Sequence, residues 1–121
     1  MFRLVAIAVS LICALLFLLL LFLPATYVQN YGVPADNGAI FMVRRASPMF
    51  AGLALLLWLV RDAKRSPERN AICWMMIVVF AGIGVLSVFE YMASVADARI
   101  LIAAFGEFGI AVLFGRILRV S

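Results

Sequence analysis

Histidine does not occur among the 121 residues, which removes the usual haem ligand, the commonest general base and the usual zinc partner together. Cysteine is nearly as scarce. Cys13 and Cys73 lie in separate apolar runs with no Cys-x-x-Cys, so a thiol–disulfide centre is not expected. Charged residues make up only 13% of the chain, about half the ~25% usual in soluble domains. With 68% hydrophobic residues, a soluble fold of this size could not hide its apolar surface. The period-two alternation of a membrane β-barrel strand is missing too.

What fills the chain is a series of four long apolar runs. The expected fold class is therefore an all-α integral membrane protein, a single domain over residues 1–121 built as an antiparallel bundle of four transmembrane helices. The runs place these helices at approximately 3–23, 40–60, 67–92 and 98–118. At ~1.5 Å per residue, a run of about 20 residues covers the ~30 Å hydrocarbon core. The first run is too long for a signal-peptide core, typically about 7–15 residues, and is read as a retained span.

Punctuation between the runs is legible. Ala25 to Gly38 reads as the longest loop, with Tyr27 and Tyr31 where an interfacial aromatic belt belongs. Pro48 lies inside the second run. Starting a helix at Ser47-Pro48 would leave only about 13 apolar residues, too few to span, so a continuous helix kinked at Pro48 is expected. Ser66-Pro67-Glu68 has the capping hydroxyl, preset backbone angle and acid of a helix start, and Asp97 suits an N-cap for the last run.

The net charge of +4 is distributed unevenly. Arg3, Arg61, Lys64, Arg65, Arg69, Arg116 and Arg119 fall on one side, seven basic residues against Arg44, Arg45 and Arg99 on the other. That bias places both termini in the cytoplasm. The basic connector Arg61, Lys64, Arg65 and Arg69 is expected at anionic lipid headgroups, with Trp58 and Trp74 as interface anchors, and no nucleic-acid role is expected.

Charges within the spans are the chemically informative residues, because each costs about 2.5–3.5 kcal/mol in mid-bilayer even on the lenient insertion scale. Arg44 and Arg45, Glu90, Arg99 and Glu107 share the outer half of the expected bundle. Glu107 is the deepest, about 17 Å from Leu118 at ~1.5 Å per residue. It stands in an i, i+4 row with Arg99, Ala103, Ala111, Gly115 and Arg119, whose small residues permit close helix approach. Gly84, Ser87, Tyr91 and Ser94 on the third span, with Glu90 beside them, and Arg44, Pro48 and Gly52 on the second, are read as facing rows. Two readings follow. The cluster coordinates an ion, proton or anionic headgroup, or Arg44 or Arg45 pairs with Glu90 or Glu107 and pins the second span to the third and fourth. Met75-Met76 is packing, and neither a metal nor a cofactor is expected.

Gly32-Val33-Pro34, Arg44-Arg45 and the stretch Gly52 to Arg61 together resemble a group of small bacterial four-span proteins that includes DoxX-like ones. They lie within residues 32–61, about a quarter of the chain, and the resemblance implies a four-span fold without an activity. Small multidrug transporters fit poorly, since they use a carboxylate in the first helix and none is present there. The leading functional expectation is non-enzymatic: an accessory or interaction subunit, or a small homo-oligomer, partnered by the bilayer and by itself or another membrane protein. The alternative is a small oligomeric transporter or a lipid- or quinone-binding protein using the Arg/Glu cluster. No nucleophile–base pair supports an enzyme.

Overall fold

The computed structural model describes residues 1–120; Ser121, the last residue of the expected domain, lies outside them. It is helical throughout, with no strand among the described residues: α1 (Phe2–Phe22), α2 (Pro24–Gln29), α3 (Asn37–Leu59), α4 (Pro67–Met92) and α5 (Arg99–Val120). The four longer helices are each long and apolar enough to cross a membrane. The short α2 occupies ground that the sequence marks as loop. Pro24 stops α1 and, with its fixed backbone angle, starts α2 at the next turn.

Local chemistry sets the other helix starts. The Asp36 carboxylate accepts from the Ala39 amide at 2.8 Å, starting α3 earlier than its apolar run suggests. The Ser66 hydroxyl accepts from the Arg69 amide at 3.1 Å with Pro67 at the first helical position. Asp97 accepts from the Arg99 amide at 3.0 Å at the head of α5. Helix α3 runs through Pro48 as one element.

The long helices associate as two pairs, each local in sequence: α1 packs along α3, and α4 along α5. Buried positions recur at spacings of three and four, the pattern of a helix-packing seam. On α1 they include Phe2, Ala6, Val9 and Cys13, and on α4 Cys73, Met76, Phe80 and Ser87. The Ser10 hydroxyl donates to the Ala54 carbonyl at 2.7 Å, a buried polar tie between α1 and α3. The largest cluster of buried apolar side chains joins all four long helices but occupies one half of the molecule. It takes Phe2 to Cys13 from α1, Ala54 and Leu57 from α3, Cys73 to Phe80 from α4, and Ala111 to Ile117 from α5. Both cysteines are buried in it as free thiols.

Contacts at this end bring the basic segments together. Arg3 forms an ion pair with Asp62. The Arg69 guanidinium lies 4.5 Å from the centroid of the Phe2 ring, and Arg65 donates to the Leu118 carbonyl at 2.9 Å. At the opposite end the Asp97 amide donates to the Tyr31 carbonyl at 2.7 Å, joining the loop after α2 to the loop before α5. Gly32 sits beside that bond with φ +76, and a Cβ there would come 2.8 Å from an Asp97 carboxylate oxygen. Glycine is needed on both counts.

Candidate functional site

Away from the packed core, the two helix pairs do not close on each other. Two adjoining cavities of about 300 and 330 Å³ lie between them and share Tyr27, Tyr31, Ile83, Ala103 and Glu107 in their walls. One reaches towards the core at Phe50 and Phe80; the other reaches towards the loop after α2 at Val33 and the last turn of α4 at Glu90. A molecule lying along both would touch every helix of the protein.

Glu107 is the centre of this cleft. Ser87 Oγ stands 3.3 Å from its Oε2 and 2.9 Å from the Ile83 carbonyl oxygen. A hydroxyl has one hydrogen, and the shorter contact claims the larger share of it. Ser87 is the only hydrogen-bond donor to the carboxylate among the described residues, so most of the acceptor capacity of Glu107 faces the cavity.

The tyrosines close the site from the other helix pair. Their rings meet edge to face, with centroids 5.4 Å apart. The Tyr27 phenol, on α2, is pushed up to about 12, first by burial, then by Tyr31 and Glu107. Tyr31 is raised by burial first and Glu107 second. Burial thus keeps both phenols protonated at neutral pH. The Tyr31 backbone carbonyl also holds the outer loop through Asp97, so one residue serves both cavity and roof.

The other sequence candidates separate. Glu90 lines the outer cavity with Glu107. Arg44 and Arg45 do not join them. Both are exposed, they share a surface hollow with Asn37, Ile40 and Phe41, and the Arg45 guanidinium lies 5.5 Å from the Phe41 ring centroid. The expected pairing of Arg44 or Arg45 with Glu90 or Glu107 is thus replaced. The inward face of α3 is Val43, Ser47, Phe50, Ala54 and Leu57, and at about 100° per residue Arg44 and Arg45 are turned away from it. The row Arg44, Pro48, Gly52 is exposed throughout. Arg99 is also exposed and binds Asp97, with Nη2 2.6 Å from Oδ2.

In the connector, Lys64 and Arg65 are exposed, Arg61 stacks on Trp58 at 4.2 Å, and Arg69 is buried beneath Phe2, turned from the headgroups expected of it. The tyrosine pair is what sequence reasoning misses. An interfacial belt is the natural reading of it, because the turn that α2 makes back towards the helices has no strong signal in six residues. No group of three or more metal-ligating side chains occurs among the described residues. No family model, curated protein or solved structure matches the chain.

Proposed function

We propose that this is a non-enzymatic, multi-pass protein of a bacterial inner membrane that binds a small amphipathic molecule drawn from the lipid phase. The observation that carries the reading is the cleft between the helix pairs, apolar along most of its wall with a few convergent polar groups at Glu107, Glu90 and the tyrosines, the usual make-up of a ligand site. The site gives catalysis little support: the Ser87 hydroxyl makes its shorter hydrogen bond, 2.9 Å, to the Ile83 carbonyl, and its contact with the Glu107 carboxylate is the longer one at 3.3 Å. In this reading the spans form one antiparallel bundle with both termini cytoplasmic. The gathering of Arg3, the connector and the last turn of α5 at one end supports it, as does the four-span plan of the DoxX-like resemblance.

The test is to purify the protein in mild detergent and weigh it intact by native mass spectrometry. A retained small-molecule mass is expected, lost on Ala103→Phe, which fills both cavities from their shared wall. A protein that carries nothing and takes up no added amphiphile overturns the reading. Orientation is tested separately by alkaline phosphatase fused to the C-terminus, which should be inactive; an active fusion reverses the topology.

A second reading, an accessory subunit or homo-oligomer, is favoured by one observation. A Cβ built at Gly52, Gly82, Gly106 or Gly109 meets nothing within 4 Å, so these exposed positions leave the surface open to close approach by another helix. Crosslinking in native membranes should then give a discrete adduct that Gly106→Leu abolishes; a monomer at all crosslinker concentrations argues against it.

A further inference from the structure

We infer that the cleft selects a lipophilic organic cation, one whose charge is quaternary or delocalised. This deepens the proposed binding function and rests on it. In the sequence, Glu90 and Glu107 are grouped with Arg44, Arg45 and Arg99, a set close to neutral that would suit an anionic headgroup. The structure removes every arginine from that set: Arg44 and Arg45 are exposed and line neither cavity, and Arg99 is engaged with Asp97. Neither cavity has lysine or arginine in its wall, while Glu107 lines both and Glu90 lines one. An anion entering there would meet carboxylates without a compensating charge, in a medium where a charge pair interacts far more strongly than in water.

The remaining wall decides which cation. A small hard cation requires about six oxygen ligands or retained water, and the cleft surrounds its carboxylates with Ile83, Leu86, Val43 and Phe80 instead. A quaternary ammonium or phosphonium has little hydration to lose and gains from aromatic faces as well as from a carboxylate. Tyr27 and Tyr31 supply two rings at 86° to each other, on the wall shared with Glu107. The Glu107 oxygens are barely used within the protein, since Ser87 gives most of its hydrogen to Ile83. Acid, crossed aromatic rings and aliphatic walls together match a greasy cation.

The experiment compares two ions of nearly equal size and shape and opposite charge. Protein in phosphatidylcholine nanodiscs is dialysed against tetraphenylphosphonium or tetraphenylborate, and binding to empty nanodiscs is subtracted. Saturable tetraphenylphosphonium binding is expected, with no saturable tetraphenylborate binding. Glu107→Gln should weaken the cation by at least about tenfold, the scale of losing one close opposite charge in a low-dielectric site, and Glu90→Gln should weaken it less, each with unchanged helical circular dichroism. Equal saturable binding of both ions overturns the inference, as does undiminished cation binding in both variants. Decylubiquinone is the uncharged control. If it saturates the site while tetraphenylphosphonium does not, cation selection fails and amphiphile binding stands; if no probe binds, both fall.

Discussion

The fully buried hydroxyl of Ser47 donates at 2.7 Å to the Arg44 carbonyl, the acceptor that Pro48, four residues on, cannot serve because it has no amide hydrogen. A proline that would break a helix in water is thereby tolerated, the serine beside it supplying the missing donor. Ser47→Ala should destabilise the protein by about 1–2 kcal/mol, the usual cost of orphaning a buried acceptor. In a Pro48→Ala background the same change should cost much less, because the backbone amide that the alanine restores then serves the Arg44 carbonyl. Thermal unfolding of the four proteins of this cycle in detergent reads the coupling, and strictly additive losses sink the explanation.

Ser87 plays a different part, dividing one hydrogen between Ile83 and Glu107. Ser87→Ala should lower stability by about 0.5–1.5 kcal/mol, a typical net value for one hydrogen bond. It should leave ligand binding at Glu107 intact or tighter, since it removes a competitor for the carboxylate. Weaker binding in Ser87→Ala would make the serine part of the ligand's own contact set.

At the outer end, Gly32→Ala combines a left-handed backbone with a Cβ 2.8 Å from the Asp97 carboxylate. A loss of about 1–3 kcal/mol is expected. Asp97→Ala in the same protein should return part of it, the steric part, while the backbone strain remains. Melting temperatures of the two single variants and the double variant separate these contributions.

Asp97 also gives a pH signature. The Arg99 hydrogen bond holds its carboxyl below the ordinary value, with a smaller opposing effect of desolvation. A depressed folded-state pKa stabilises the fold above the unfolded value of about 3.9, and the benefit is lost as pH falls through the lower folded one. The stability gap between the wild type and Asp97→Asn should therefore be constant from pH 7 to about 5 and shrink in more acidic solution. The pair is exposed, so the gap should also narrow in high salt. A gap that grows on acidification contradicts the assignment.

The four helices long and apolar enough to cross a membrane can be read directly from the sequence, because length and apolarity are the signals that a bilayer imposes. Helix faces cannot. In water an amphipathic pattern separates core from surface, but in lipid both sides are apolar, and α1 is almost uniformly so. Polar residues then become the only markers of an inward face, and they mislead near the headgroups. Arg44 and Arg45 read as inward because they are charged, yet in the N-terminal half of α3 they are exposed, and long basic side chains can reach water from an outward face. Glu107, shorter and deeper, has no such escape. Its row is the informative one: Ala103, Glu107 and Ala111 are all at least half hidden, and Ala103 and Glu107 line the cleft. The tyrosines depend on where a six-residue helix turns the chain, a tertiary outcome with no periodic trace.

Because α1 pairs with α3 and α4 with α5, each half of the molecule can pair its long helices without waiting for the other. The space around Glu107 is different. It has no walls until the second hairpin comes to lie against the first, so a molecule held there joins two halves that the chain itself links only through the short connector between Val60 and Pro67. Occupancy would act as a clasp late in biogenesis, and an empty cleft would leave the halves freest to part at the end remote from the packed core.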